Sequence, residues 1–468
     1  MNKAEFRNQL IHFLDFEPTT DQETFIQRAS NYICEPKLKD LFILRGYAGT
    51  GKTSLIAALV KTLNSFQRKT VLMAPTGRAA KVMSTYANQI AYTIHKRIYW
   101  LQEEGGEVSF RLGRNNLSNT LFIVDEASMI SGFTPGSYNN LLEDLIQFVY
   151  NGKNCKLMLV GDIAQLPPVG SDISPALVPK YFRDEFHIRI DGVELKEVVR
   201  QQEDSGILFN ATEIRNKIET EDFKLSVSTA SHIDMKSITG ADLEEELQTA
   251  YSEKDERGVI IITRSNKRAN LFNQQIRQRI LFRESDLAAG DLLMIVKNNY
   301  HWLDNDSKIG FIANGDTFQV NRVLKTQEMH GFRFATVSGF LIDYPDEPEL
   351  EVNVILDSID VESPSLPKNE TDKLFWSVYQ DYPEAKTKTE RMEKVKKDPF
   401  YNALQIKFSY AITCHKAQGG QWPIVFIDQG YLTEDMLNKE LMRWMYTAFT
   451  RATEKLFLVN FSDNFIAD

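Results

Sequence analysis

A glycine-rich stretch, Gly46-Tyr47-Ala48-Gly49-Thr50-Gly51-Lys52-Thr53, lies between the apolar run Leu41-Phe42-Ile43-Leu44 and a segment of helical composition, Ser54-Leu55-Ile56-Ala57-Ala58-Leu59-Val60. The order is strand, glycine loop, helix. Glycines let successive backbone N–H groups wrap a polyphosphate, and the first turn of the following helix adds unpaired donors and its positive dipole end. Lys52 is then placed to reach the β- and γ-phosphates and Thr53 to bind Mg²⁺. An ordinary Gly-rich turn between strand and helix gives no reason for Lys and Thr directly after the last glycine. A site for a nucleoside triphosphate, ATP with Mg²⁺, is expected.

At 468 residues the chain has room for several domains with large cores. No apolar run reaches the length of a membrane span, and the first residues carry neither a basic leader nor an apolar signal core. A cytoplasmic protein with no membrane partner is expected. Cys34, Cys155 and Cys414 lie far apart among apolar or motif residues, which suits buried reduced thiols better than a disulfide framework or a zinc site. The net charge of −10 argues against a surface coated in positive charge. Its distribution is uneven: between Arg45 and Trp100 there are several Lys and Arg and no Asp or Glu, while acid-rich stretches lie elsewhere. A basic groove on an acidic body, and a phosphate site that simply avoids carboxylates, both account for this.

Along the chain, Phe6, Leu10, Phe13 and Leu14 mark an amphipathic helix, and Thr20 or Asp21 is a natural N-cap for a second. Val71-Leu72-Met73-Ala74-Pro75 reads as a strand running into Thr76-Gly77-Arg78-Ala79-Ala80 at a helix start, and Thr93-Ile94-His95 begins another. Alternating apolar and polar residues around Glu103-Glu104-Gly105-Gly106, with Trp100 and Phe110 among them, suggest a projecting hairpin. Two buried-type strands then end in polar clusters. Leu121-Phe122-Ile123-Val124 leads to Asp125-Glu126-Ala127-Ser128, and Leu157-Met158-Leu159-Val160 leads to Gly161-Asp162 and Gln165-Leu166-Pro167-Pro168-Val169-Gly170. Acid residues at the carboxyl ends of such strands face the ligand crevice. Asp125 suits the Mg²⁺ shell and Glu126 suits activation of water.

This succession resembles the ordered motifs of the superfamily 1 helicases, and within them the RecD-like branch, which includes phage Dda and the Pif-type helicases. The likeness continues at Val199-Arg200-Gln201, at Thr413-Cys414-His415-Lys416-Ala417-Gln418-Gly419 and at Tyr446-Thr447-Ala448-Phe449-Thr450-Arg451. Between them, short β segments from Gly290 onward, separated by Gly, Asn, Asp and Pro, read as a small barrel.

The resemblance implies an α/β fold with two RecA-like parallel-sheet motor domains. Residues 1–180 would form the first, with a pin-like hairpin at about 97–118; residues 181–289 and 402–468 would form the second; and 290–401 would be an inserted SH3-like β-barrel with a helical segment. It also implies an ATP site made of Gly46, Tyr47, Ala48, Gly49, Thr50, Gly51, Lys52 and Thr53, with Gln22 reading the adenine and Gln418 and Gly419 near the nucleotide. Gln165, Arg200 and Arg451 would close on the γ-phosphate. Pro75, Thr76, Arg78, His95, Thr413, His415 and Lys416 would grip single-stranded DNA. Trp100 and Phe110 would form the duplex-separating pin, although aromatics that pack the hairpin onto its own domain fit the spacing equally well. Taken alone, His415 suits a structural role and Arg451 the C-terminal end of a helix. The activity implied is ATP-driven unwinding by a monomer acting at junctions of single strand and duplex, 5′ to 3′ by resemblance alone. A single-strand translocase that remodels complexes, or a nucleic-acid-binding module with an impaired ATPase, remain as alternatives.

Overall fold

The computed structural model describes residues 2–35, 40–104, 107–132, 140–199, 205–229, 232–303, 307, 310–344 and 347–467, with backbone alone for 101–104, 107–110 and 434. Its strands, in chain order, are β1 Asp40–Gly46, β2 Lys69–Ala74, β3 Ala91–Thr93, β4 Tyr99–Glu104, β5 Glu107–Leu112, β6 Thr120–Val124, β7 Lys156–Gly161, β8 Arg189–Leu195, β9 Val227–Ser228, β10 Met235–Ile238, β11 Val259–Thr263, β12 Leu292–Ile295, β13 Thr317–Met329, β14 Phe332–Leu341, β15 Leu350–Ile355, β16 Leu404–Phe408, β17 Ala411–Thr413, β18 Trp422–Asp428, β19 Ala452–Val459 and β20 Ile466–Ala467.

Six strands form the first sheet in the order β3-β2-β6-β7-β1-β8, and their pairings are parallel. Helices cover both faces, which is why β6 and the centre of β1 are continuous apolar runs. The phosphate loop, Asp125-Glu126 and Asp162 all follow the carboxyl ends of strands β1, β6 and β7, so one edge of the sheet collects them. The first domain runs past the boundary expected at 180, because β8 pairs with β1 from Asp40↔Arg189 to Gly46↔Leu195. Strand β8 interleaves polar and apolar residues, as suits a sheet edge, and so lacks the apolar run that marks its neighbours.

The second sheet is also parallel, in the order β10-β19-β18-β11-β17. Strands β12 to β16 close a barrel. Its last strand, β16, pairs antiparallel with β12 and parallel with β15. The barrel therefore extends to Phe408 instead of ending at 401, and the helices Lys368–Gln380 and Lys388–Lys397 sit between its last two strands. The five residues of β16 are all buried, so closing the barrel hides an apolar surface that β12 and β15 would otherwise expose. β4 and β5 form the expected hairpin, in register from Tyr99↔Leu112 to Glu104↔Glu107.

The domains share a core. Tyr47, Ala164 and Leu166 of the first are buried in one cluster with Trp444, Met445 and Phe449 of the second. Cys34, Cys155 and Cys414 are free thiols. Among the described residues no helix is long and apolar enough to cross a membrane, and no group of three or more His, Cys, Asp or Glu could hold a metal ion.

Candidate active site

The phosphate loop opens at the end of β1 and closes into the helix Lys52–Ser65. Gly49 and Gly51 have φ of +74° and +80°, the left-handed region that glycine enters without strain. A Cβ on Gly51 would stand 2.6 Å from the Gln22 side-chain nitrogen, so the loop and the helix Thr20–Cys34 meet here at backbone distance. Lys52 Nζ donates to the carbonyls of Gly46 and Tyr47 at 2.9 and 2.8 Å, which holds the ammonium over the loop.

Around the loop lies a cavity of about 550 Å³, lined by Lys52, Thr53, Asp125, Glu126, Gln165 and Arg451 among others. The sheet edge supplies the first five, and Arg451 enters from the second domain. Arg451 is buried and donates to the carbonyls of Thr447 and Gly420 and to Thr450 Oγ1. Asp125 Oδ2 accepts from the Tyr86 hydroxyl at 2.6 Å and Oδ1 from the Glu126 N–H at 2.8 Å. Glu126 has φ of +51°, a strained conformation for glutamate that aims its side chain into the cavity. Burial pushes its carboxyl up to about 7; Asp125 and Asp162 add to the rise, and Arg451 and Lys52 oppose it. The Gln165 side-chain oxygen is buried with no hydrogen-bond partner among the described residues. An orphaned acceptor, a hydroxyl and a carboxylate beside a cationic loop suit a triphosphate with its Mg²⁺ and an attacking water.

Three expected nucleotide contacts fall elsewhere. Gln22 is fully buried, with its side-chain oxygen accepting from Thr19 N–H and its nitrogen donating to the Thr50 carbonyl. It caps its helix together with Thr19, which takes the N-cap role expected of Thr20 or Asp21, and it buttresses the phosphate loop from behind. Gln418 donates to the Leu166 carbonyl at 2.7 Å, and a Cβ on Gly419 would stand 2.8 Å from Ala79 Cβ. Both belong to the seam between domains. Phe16 and Gln421 line the cavity instead. Gln421 lies three residues past Gln418 with the same side chain, so only its placement distinguishes it. Arg200 lies outside the described residues.

A larger cavity, of about 1040 Å³, runs where the two motor domains and the barrel meet. Pro75, Thr76, Arg78 and His95 line it from the first domain and His415 and Lys416 from the second, with Lys297, Tyr300 and Phe311 from the barrel side. No Asp or Glu among the described residues lines it, in a chain of net charge −10. The basic groove left open by composition is thus a property of this channel. Burial lowers the pKa of His95, His415, Lys297 and Lys416. Neutral imidazoles can still hydrogen-bond phosphate or sugar oxygens.

Thr413 ends β17 and does not line the channel. Arg78 has a second task, donating to Thr317 Oγ1 at 2.8 Å while its guanidinium lies 4.8 Å from the Trp422 ring centroid. It thereby ties the first domain to the barrel and to the second domain. Trp100 stands on the hairpin with 70% of its surface exposed; the side chain of Phe110 lies outside the described residues. Sequence reasoning missed Tyr86 and Tyr446, each of which donates to a motif carboxylate from outside the motif it serves.

Two parallel-sheet domains with a phosphate-loop cavity between them define a two-domain P-loop motor. Family models agree with this in order along the chain: an AAA domain matches residues 27–231 and a UvrD-like helicase C-terminal domain matches 408–459. With the motif order, these matches support a superfamily 1 helicase of the RecD/Pif-like type. It is 24% identical over 488 residues to the uncharacterized protein R530 of Acanthamoeba polyphaga mimivirus, covering 89% of this chain and 94% of that one. It is 32% identical over 136 residues to the ATP-dependent RecD2 DNA helicase of Deinococcus radiodurans, a match spanning 28% of this chain and 17% of that protein. The fold is similar to that of a Pif1 helicase from Bacteroides in complex with ADP-AlF3 and ssDNA, with TM-score 0.50, 16% identity and coverage of 97% and 95% of the two chains.

Proposed function

We propose that this protein is an ATP-dependent DNA helicase that moves along single-stranded DNA and opens the duplex ahead of it. The observation that carries the reading is the channel lined by no carboxylate among the described residues, built from both motor domains and the barrel, beside a phosphate-loop cavity that Arg451 enters from the opposite domain. Lys52 would hold the triphosphate, and Thr53 and Asp125 would hold its Mg²⁺, which would supply charge neutralisation. Glu126 takes the proton of the attacking water, and the Gln165 side-chain oxygen orients that water. Arg451 stabilises charge on the γ-phosphate, with Arg200 as a second cation by resemblance.

Lys52 and Arg451 sit on different domains, so a triphosphate gripped by both favours closure and its hydrolysis favours release. Pro75, Thr76 and His95 on one domain and His415 and Lys416 on the other would then hold a strand alternately, giving steps. The 5′ to 3′ polarity follows from the RecD-like resemblance, and a cytoplasmic monomer belongs to the same proposal.

The test is fluorescence unwinding of two duplexes, one with a 5′ and one with a 3′ single-stranded tail, with ATP and Mg²⁺. Unwinding of the 5′-tailed substrate alone, abolished by Lys52→Ala, is the expected result. ATP hydrolysis stimulated by single strands without unwinding of either would replace the helicase with a translocase. A Lys52→Ala protein that still unwinds would remove the proposal.

A further inference from the structure

The Tyr446 hydroxyl accepts a hydrogen bond from the phosphate-loop N–H of Ala48 at 2.8 Å and donates one to Asp162 Oδ2 at 2.7 Å. Tyr446 and Asp162 are each only 1% exposed, so neither bond is exchanged cheaply for water. The tyrosine belongs to the helix Lys439–Phe449 of the second domain; both of its partners belong to the first. The next residue extends the link, since Thr447 Oγ1 accepts from Leu166 N–H at 2.9 Å. Arg451 donates back to the Thr447 carbonyl at 3.0 Å. One helix end therefore carries both the grip on the phosphate loop and the guanidinium that reaches the nucleotide cavity.

We propose that Tyr446 is a positioning residue that sets Arg451 against the phosphate loop by registering the second domain on Ala48 and Asp162. This role rests on the ATPase reading above. A phenol can accept from an amide and donate to a carboxylate at once; phenylalanine keeps the ring and loses both bonds. In Tyr446→Phe the helix stays packed through Met445, Phe449 and Trp444, while the rotation that aims Arg451 is left to the Thr447–Leu166 bond alone. Binding of a diphosphate relies on the loop itself and stays intact. The loss falls on turnover, because the arginine acts on charge that develops at the γ-phosphate.

The experiment uses the full chain as wild type, Tyr446→Phe, Arg451→Ala and the double variant. ATPase is measured with saturating single-stranded oligonucleotide and nucleotide affinity with a fluorescent ADP. The expected result is a kcat about ten-fold lower for Tyr446→Phe, with KM for ATP and ADP affinity within about two-fold of wild type. In the Arg451→Ala background the same substitution should change kcat by less than about two-fold, since its effect passes through the arginine. An undiminished kcat in Tyr446→Phe, an equal fractional loss in both backgrounds, or weakened ADP binding would overturn the assignment. A wild-type protein that binds the fluorescent ADP and hydrolyses no ATP would remove the functional reading itself, and this role with it.

Discussion

Tyr86 donates to Asp125 Oδ2 at 2.6 Å from a helix that contributes nothing to the phosphate loop, and so fixes the carboxylate from behind. With the other oxygen bonded to the Glu126 N–H, both carboxylate oxygens are oriented by the protein. A hydrogen bond to a charged group in such a setting is worth about 1.5–3 kcal/mol. Tyr86→Phe should therefore raise the Mg²⁺ concentration for half-maximal ATPase by about ten-fold, with kcat near wild type once Mg²⁺ saturates. An Mg²⁺ titration of single-strand-stimulated hydrolysis decides this; an unmoved midpoint would show that Asp125 needs no such support.

In the proposed role Glu126 must be ionised to accept a proton, and burial pushes its carboxyl up to about 7. ATPase should rise with pH through that value and level off above it, because the base is charged only on the alkaline side. Arg451 holds the carboxyl down, so Arg451→Ala should move the rising limb of its residual activity to higher pH. The stability consequence has the opposite sense. A carboxyl whose folded pKa is raised contributes fully below its unfolded value of 4.5, and that contribution is lost as pH climbs to about 7. Glu126→Gln should abolish hydrolysis and melt at a higher temperature than wild type above neutrality, with the gap closing in acid. Matched melting curves across pH would expose a wrong sign.

The barrel is tied to the first motor domain by Lys96, whose ammonium donates to the Tyr344 hydroxyl at 2.9 Å and lies 4.2 Å from that ring's centroid. Beside it, burial pushes the fully buried Asp316 up to about 6, with Lys96 opposing the shift. Lys96→Met keeps the volume and removes the charge, leaving the carboxylates of Asp316 and Asp343 without that cation. The channel wall should loosen, shortening the lifetime of the complex with a single-stranded oligonucleotide by about five-fold. Stopped-flow dissociation reads it. An unchanged off-rate would mean that the barrel does not help retain the strand.

The sheet edge that carries the nucleotide cavity was legible because it follows local rules. Gly49, Gly51, Lys52, Asp125 and Gln165 each sit in a contiguous motif at the end of an apolar strand. What stayed hidden depends on contacts remote in sequence. Tyr446 meets Ala48 almost four hundred positions away, and nothing near either residue announces the pairing. The resemblance implies that Gln22 reads the adenine, whereas its amide is bonded to the Thr19 N–H and the Thr50 carbonyl. That β8 belongs to the first sheet is not announced locally, because an edge strand lacks the continuous apolar run that marks buried ones. Strand β16 escaped because it rejoins the barrel after the helical segment, and chain order suggested a return to the motor.

Trp100 is 70% exposed on the first strand of the hairpin, an unusual place to leave an indole in water. Its ring edge nonetheless rests on Gly113, where a Cβ would stand 2.3 Å from Nε1, and Gly113 is held by donating to the Ile98 carbonyl at 2.7 Å. The indole is thus seated at one edge with most of its surface free, an arrangement that suits stacking on a base. Such a contact is worth about 1–3 kcal/mol. Trp100→Ala should slow unwinding of a tailed duplex by about ten-fold while leaving oligonucleotide-stimulated ATPase within about two-fold of wild type, because the strand channel and the nucleotide cavity are untouched. Equal loss of both activities would assign the tryptophan to packing the hairpin on Gly113. Unchanged unwinding would mean that the duplex is separated elsewhere on the molecule.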